Sequence, residues 1–154
     1  MICTKTDRDF NLFRDAELEV MLAIRKRRES GVGLDLSKAI GFIDQAFKIR
    51  PLLRTRSFGW KLRLFDERIN HTPLLLTEVR SVLDNQSNFR SQHVADAAKV
   101  YVMIMSRTDK QSATSVLLRH KEFFGQWSLG FLNRVIAAGG KVKDADTFSA
   151  IDRL

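Results

Sequence analysis

The chain has 154 residues, 44% of them hydrophobic, which is enough to enclose a core and too much for a globally disordered chain. With 2 prolines and 8 glycines it lacks the punctuation that many short strands require, so an all-β sandwich is excluded. Its 26 basic and 18 acidic side chains leave a net charge of +8, which directs attention to acidic partners.

Thr6 or Asp7 can cap a first helix running to about Glu29, with Phe10, Phe13, Val20 and Ile24 near one face. Ser30, Gly31, Val32 and Gly33 form its stop. Asp9, Asp15, Glu17 and Glu19 come early in this helix and Arg25, Lys26, Arg27 and Arg28 late, which complements the helix dipole. Asp35 or Ser37 opens a second helix that buries Ile40, Ile43 and Phe47. It ends near Arg50, because Pro51 disfavours helical geometry at the residue before it. Residues 52–56 begin a new turn, and Ser57 starts a helix with Phe58, Leu62 and Phe65 inward, ending around Ile69.

Thr72 and Pro73 are a start signal for a helix with Leu75, Leu76, Val79 and Leu83 on its apolar face, ending near Asp84. The polar residues 85–88 read as a loop. Ser91 can cap a helix containing Val94, Ala98, Tyr101, Val102 and Met105. Its second half, residues 100–105, is uniformly apolar and compatible with a buried strand, but the pattern starting at Val94 exceeds strand length, so helix is preferred. Asp109 or Ser112 begins a helix with Val116 and Leu117, weakened at Gly125. Ser128 caps the next, over residues 129–138, and Gly139 and Gly140 stop it. A short terminal helix over residues 145–153 docks by Phe148 and Ile151. The expected fold is all-α: a compact single-domain bundle of about six to seven helices over residues 1–154, without repeats.

Several chemistries drop out on spacing. The single cysteine, Cys3, forms no internal disulfide and no four-ligand zinc site with the scattered His71, His93 and His120. His93 and Asp96 lie three apart, as many surface pairs do, and no metal is expected. The segment Gly31, Val32, Gly33 has Leu36 where a dinucleotide loop needs glycine, and Ser37 with Lys38 reverses the phosphate-loop order, so no nucleotide cofactor is expected. Residues 125–130 hold one residue too many before Ser128 for a nucleophile elbow and read as a joint between helices. Asp66 and Glu67 are adjacent, about 100° apart on a helix, and do not converge as an acid and base pair. The chain therefore reads as a protein without enzymatic activity. The longest uncharged run, residues 123–133, is 11 residues, too short for a transmembrane segment, and no signal peptide is apparent. An intracellular setting, cytoplasmic or nuclear, is expected.

The charge is segregated. Residues 1–24 hold 3 basic and 5 acidic side chains, residues 25–63 hold 11 and 3, and residues 64–154 hold 12 and 10. Within the middle segment, Lys48, Arg50, Arg54, Arg56, Lys61 and Arg63 occur with no acid between residues 45 and 65, interleaved with Phe58, Trp60 and Phe65. Such a stretch suits phosphates, with Trp60 as the candidate for stacking on an unpaired base. Arg25, Lys26, Arg27 and Arg28 join the same patch if the first helix packs beside the third. The expected function is binding of a polyanion, RNA or DNA, through this face.

The alternative is an interaction module, such as an adaptor, inhibitor or effector-type regulator. It would use an apolar groove, or the same cations against an acidic protein partner or anionic lipid. Arg25, Lys26, Arg27 and Arg28 also resemble a short nuclear-import signal, and residues 109–121 the second helix of a helix-turn-helix, although Arg107, Thr108, Asp109 and Lys110 lack the usual small turn residue. Of the aromatics near glycines, Phe123 reads as core, while Trp127 is compatible with a surface for another protein or for a second copy of the chain.

Overall fold

Each helix expected from the periodicity of residues 5–137 is present in the computed structural model, which describes residues 5–66 and 72–142 together with Asp146, Ala150, Ile151 and Arg153. Seven α-helices and no strand occur among the described residues, so the chain is all-α. They divide into two compact units, Met1–Asn70 and His71–Leu154.

The first unit is built on a helical hairpin. Helix α1 spans Lys5–Ser30 and buries Phe13, Ala16, Val20 and Ile24, residues spaced three and four apart. The Phe10 side chain lies outside the described ones. Gly31 ends the helix at φ 69°, its N–H donating to the Arg27 carbonyl at 2.8 Å, which supplies a partner for one of the last carbonyls. Helix α2 spans Ser37–Ile49 and buries Ala39, Ile40, Ile43, Ala46 and Phe47. Asp35 prepares its start by accepting from both the Ser37 N–H (3.0 Å) and the Ser37 hydroxyl (2.7 Å). The two helices run antiparallel. Phe13, early in α1, meets Phe47, late in α2, at 6.4 Å between ring centroids, while Lys26 and Arg27 line a groove with Ser37 and Lys38.

Arg50 is extended, as a residue before proline should be, and Pro51–Thr55 forms a 3-10 turn leading into α3, Ser57–Phe65. The helix stops at Phe65, four residues earlier than its apolar pattern suggests. Asp66 is already extended, and Ile69 lies outside the described residues. Gly59 lets α3 approach α2 closely, since a Cβ there would stand 2.7 Å from Phe47 Cζ and 2.9 Å from Ile43 Cγ2.

In the second unit, α5 (Ser91–Met105) is the central element, packed against α4 (Thr72–Asp84), α6 (Lys110–Arg119) and α7 (Gln126–Ala137). Every residue from position 97 to 105 is buried, which is why residues 100–105 are apolar all round and mimic a buried strand in sequence. Asp109 caps α6, accepting from the Ser112 N–H at 3.1 Å.

The start of α7 corrects the expectation for Ser128. Gly125 is the capping residue and Ser128 is buried inside the helix. The end of α7 is as expected: Gly139 and Gly140 have positive φ, with Gly140 N–H on Val135 O and Gly139 N–H on Ile136 O. Phe123 is also corrected. It is exposed at the end of a 3-10 turn, and its neighbour Phe124 takes the core position under Lys99. Asp146, Ala150, Ile151 and Arg153 are helical, with Ala150 and Ile151 buried, and Phe148 lies outside the described residues.

Candidate nucleic-acid interface

The eleven candidate residues all belong to the first unit, and the structure sorts them into three groups. Lys48, Arg50, Arg54 and Arg56 are exposed and follow one another around a single tip: the last turn of α2, the 3-10 turn and the residue capping α3. Arg56 is held over the Phe13 ring, 5.0 Å from its centroid, so α1 supports the tip from beneath. Leu52 stands exposed among these cations.

The second group is internal. Trp60, 1% exposed, and Lys61, 6% exposed, are core residues of α3, a nine-residue helix covered on most of its circumference. Trp60 is therefore withdrawn as a stacking platform: its indole has no open face. Arg63 bonds Asp44 on α2, donates to the Gly59 carbonyl at 3.4 Å, and lies over Phe47 at 5.3 Å. These contacts make Arg63 a clamp between α3 and α2 rather than part of an open cationic face.

Arg25, Lys26, Arg27 and Arg28 make up the third group, at the opposite end of the hairpin. Because α1 and α2 are antiparallel, the length of α2, about 20 Å, separates this run from the tip. The two runs do not merge, which corrects the idea of one continuous patch. Acids also dilute the run. Arg25 pairs with Glu29 at 3.1 Å, and the groove of about 610 Å³ lined by Lys26, Arg27 and Lys38 also takes in Glu19 and Asp35.

Two features of this unit escaped the sequence reading. One is the start of α3, where no side chain caps the free amides, no acid lies in the first turn, and Arg54 and Arg56 sit beside the positive end of the helix dipole. The signal was visible as the absence of acids before Ser57. The other is a row of exposed apolar side chains on α1, Leu18 and Leu22 opposite the buried face and Met21 at its flank, at helical spacing.

The second unit offers little chemistry by comparison. Lys99 is buried near Asp96, 3.9 Å away, and His120 is buried with Nδ1 3.0 Å from the Val116 carbonyl oxygen. No group of three or more His, Cys, Asp or Glu side chains is placed to hold a metal among the described residues. No helix among them is long and apolar enough to cross a membrane. Comparison with known protein families, curated proteins and solved structures finds no match.

Proposed function

We propose that the first unit binds nucleic acid through the tip formed by Lys48, Arg50, Arg54 and Arg56, without chemistry, in the cytoplasm or nucleus. The observation that carries this reading is the placement of Arg54 and Arg56 at the uncapped, acid-free start of α3. Cations at that end oppose the helix dipole, so the arrangement costs the folded protein some stability on its own. A phosphate placed there reverses the sign, meeting two guanidinium groups and the free amides together. Four exposed cations on one tip can neutralise about four phosphates of a strand. With Trp60 in the core, binding rests on charge and is tolerant of sequence.

The test measures the affinity of the full chain for labelled mixed-sequence RNA and DNA, side by side, as salt rises from about 50 to 200 mM. Release of counterions from four phosphates lowers affinity by roughly 50- to 150-fold over that range. Arg54→Gln with Arg56→Gln removes about half of the logarithmic salt slope, whereas Arg25→Gln with Arg28→Gln leaves it unchanged. An affinity that is flat with salt, or indifferent to the tip substitutions, overturns the reading. An interaction module is the second reading, and it is favoured by the exposed apolar row on α1.

A further inference from the structure

Helix α1 is apolar on two sides. Phe13, Ala16, Val20 and Ile24 face the interior of the unit. Leu18 and Leu22 each follow a buried residue by two positions, about 200° around the helix, and so lie opposite that buried face. They are 52% and 57% exposed, and Met21 beside them is 54% exposed. Single exposed leucines, such as Leu52 and Leu74, need no explanation, but three adjacent side chains at positions i, i+3 and i+4 form a continuous row on one element.

We propose that this row is a self-association surface, on which α1 pairs antiparallel with α1 of a second copy of the chain. Charge selects the partner and the direction. The acids Asp15 and Glu17 precede the row and the cations Arg25, Lys26 and Arg28 follow it, with only Glu29, paired to Arg25 of its own helix, among them, so a parallel pairing places like against like. An antiparallel pairing about a two-fold axis beside Met21 brings together residues whose numbers sum to about 42. Met21 then meets Met21 on the axis, and Leu18 and Leu22 pack across it. Glu17 faces Arg25 of the second copy and Asp15 faces Lys26 of the second copy, each pair occurring twice by symmetry. Arg14 and Arg28, four residues before Leu18 and seven after Met21, continue the row and form a like-charged pair at each of its ends, which offsets part of this gain.

Three half-exposed side chains cover far less than the ~800 Å² per partner of a standard interface, so the dimer is weak, with a dissociation constant on the order of 10 to 100 µM. This role also gives a partner to Arg25 and Lys26, which the nucleic-acid tip does not include.

The experiment is sedimentation velocity on the full chain from about 1 to 300 µM, with mass as the readout. The expected result is a rise from monomer to dimer mass across that range. Met21→Glu weakens association at least about tenfold. Because the side chain is exposed, helix content by circular dichroism stays unchanged. Glu17→Arg and Arg25→Glu each weaken association about threefold, and the chain carrying both recovers the original dissociation constant, a recovery that an antiparallel pairing requires. Three outcomes overturn the proposal: monomer mass up to 300 µM, a dimer indifferent to Met21→Glu, or a double variant no better than the single ones. If the row is instead covered by another part of the same chain, the mass stays monomeric and Met21→Glu lowers thermal stability.

Discussion

The guanidinium of Arg56 lies over the ring of Phe13, 5.0 Å from its centroid, and joins the exposed tip of the first unit to the core beneath it. Phe13 also meets Phe47 edge-on and Phe58 at a tilt, both at 6.4 Å. One buried ring thus holds α1, α2 and α3 together and fixes the position of a cation. Phe13→Leu keeps most of the buried volume, so the chain stays folded, losing about 1 to 2 kcal/mol in urea unfolding. Without the ring face, Arg56 is less ordered, and affinity for an oligonucleotide falls about twofold, equivalent to a few tenths of a kcal/mol. Unchanged affinity in a folded Phe13→Leu chain shows that Arg56 does not depend on this support.

Gly59→Ala sets two effects of opposite sign against each other. In an open helix the substitution gains about 1 kcal/mol. Here the new methyl group meets Phe47 Cζ and Ile43 Cγ2, both in buried side chains, and Phe47 is further held by Phe13 and Arg63. Overpacking of this kind costs about 1 to 3 kcal/mol. The expected net is a loss on the order of 1 kcal/mol, read as a lower urea midpoint. A stabilised variant means that α3 can move outward freely.

Asp109→Ala removes the side chain that satisfies the Ser112 N–H at the start of α6. The loss is about 1 kcal/mol, in the range measured for such caps. Asp109→Asn retains an acceptor and recovers most of it, so thermal unfolding of the two variants separates the hydrogen bond from the charge. Equal losses assign the effect to the negative charge at the helix start.

The helices were legible because their signals are local. Gly31 ends α1 with a positive φ that other residues resist, Pro51 ends α2, and Asp109 caps α6. Where neighbouring residues compete for one role, the choice depended on tertiary packing: Gly125 starts α7 because Ser128 is buried within it, and Phe124 rather than Phe123 fills the core. The site was legible in part. The exposed tip follows from residues close in sequence. Whether residues 25–28 reach it depends on α1 packing antiparallel to α2, a relation between distant residues that charge segregation does not encode. Trp60 was misjudged because α3 is short and covered on most sides, so burial there does not follow a single stripe.

The burial of Trp60 separates charge-only binding from base stacking by fluorescence. Trp127, partly exposed, stacks on Phe131 at 5.2 Å and has Arg153 over its ring at 5.5 Å, so Trp127→Phe preserves an aromatic ring while leaving Trp60 as the sole indole. Emission from that variant is blue-shifted, and iodide, which reaches only exposed rings, quenches it weakly. Adding a saturating oligonucleotide changes neither property if phosphates alone are contacted. A base stacked on Trp60 demands the reverse: α3 must turn its indole outward, emission shifts to the red and the nucleic acid quenches it directly. Because such a rotation empties a core position, its cost is taken from the binding energy, so the unfolding midpoint rises less on saturation than it does when phosphates alone are contacted.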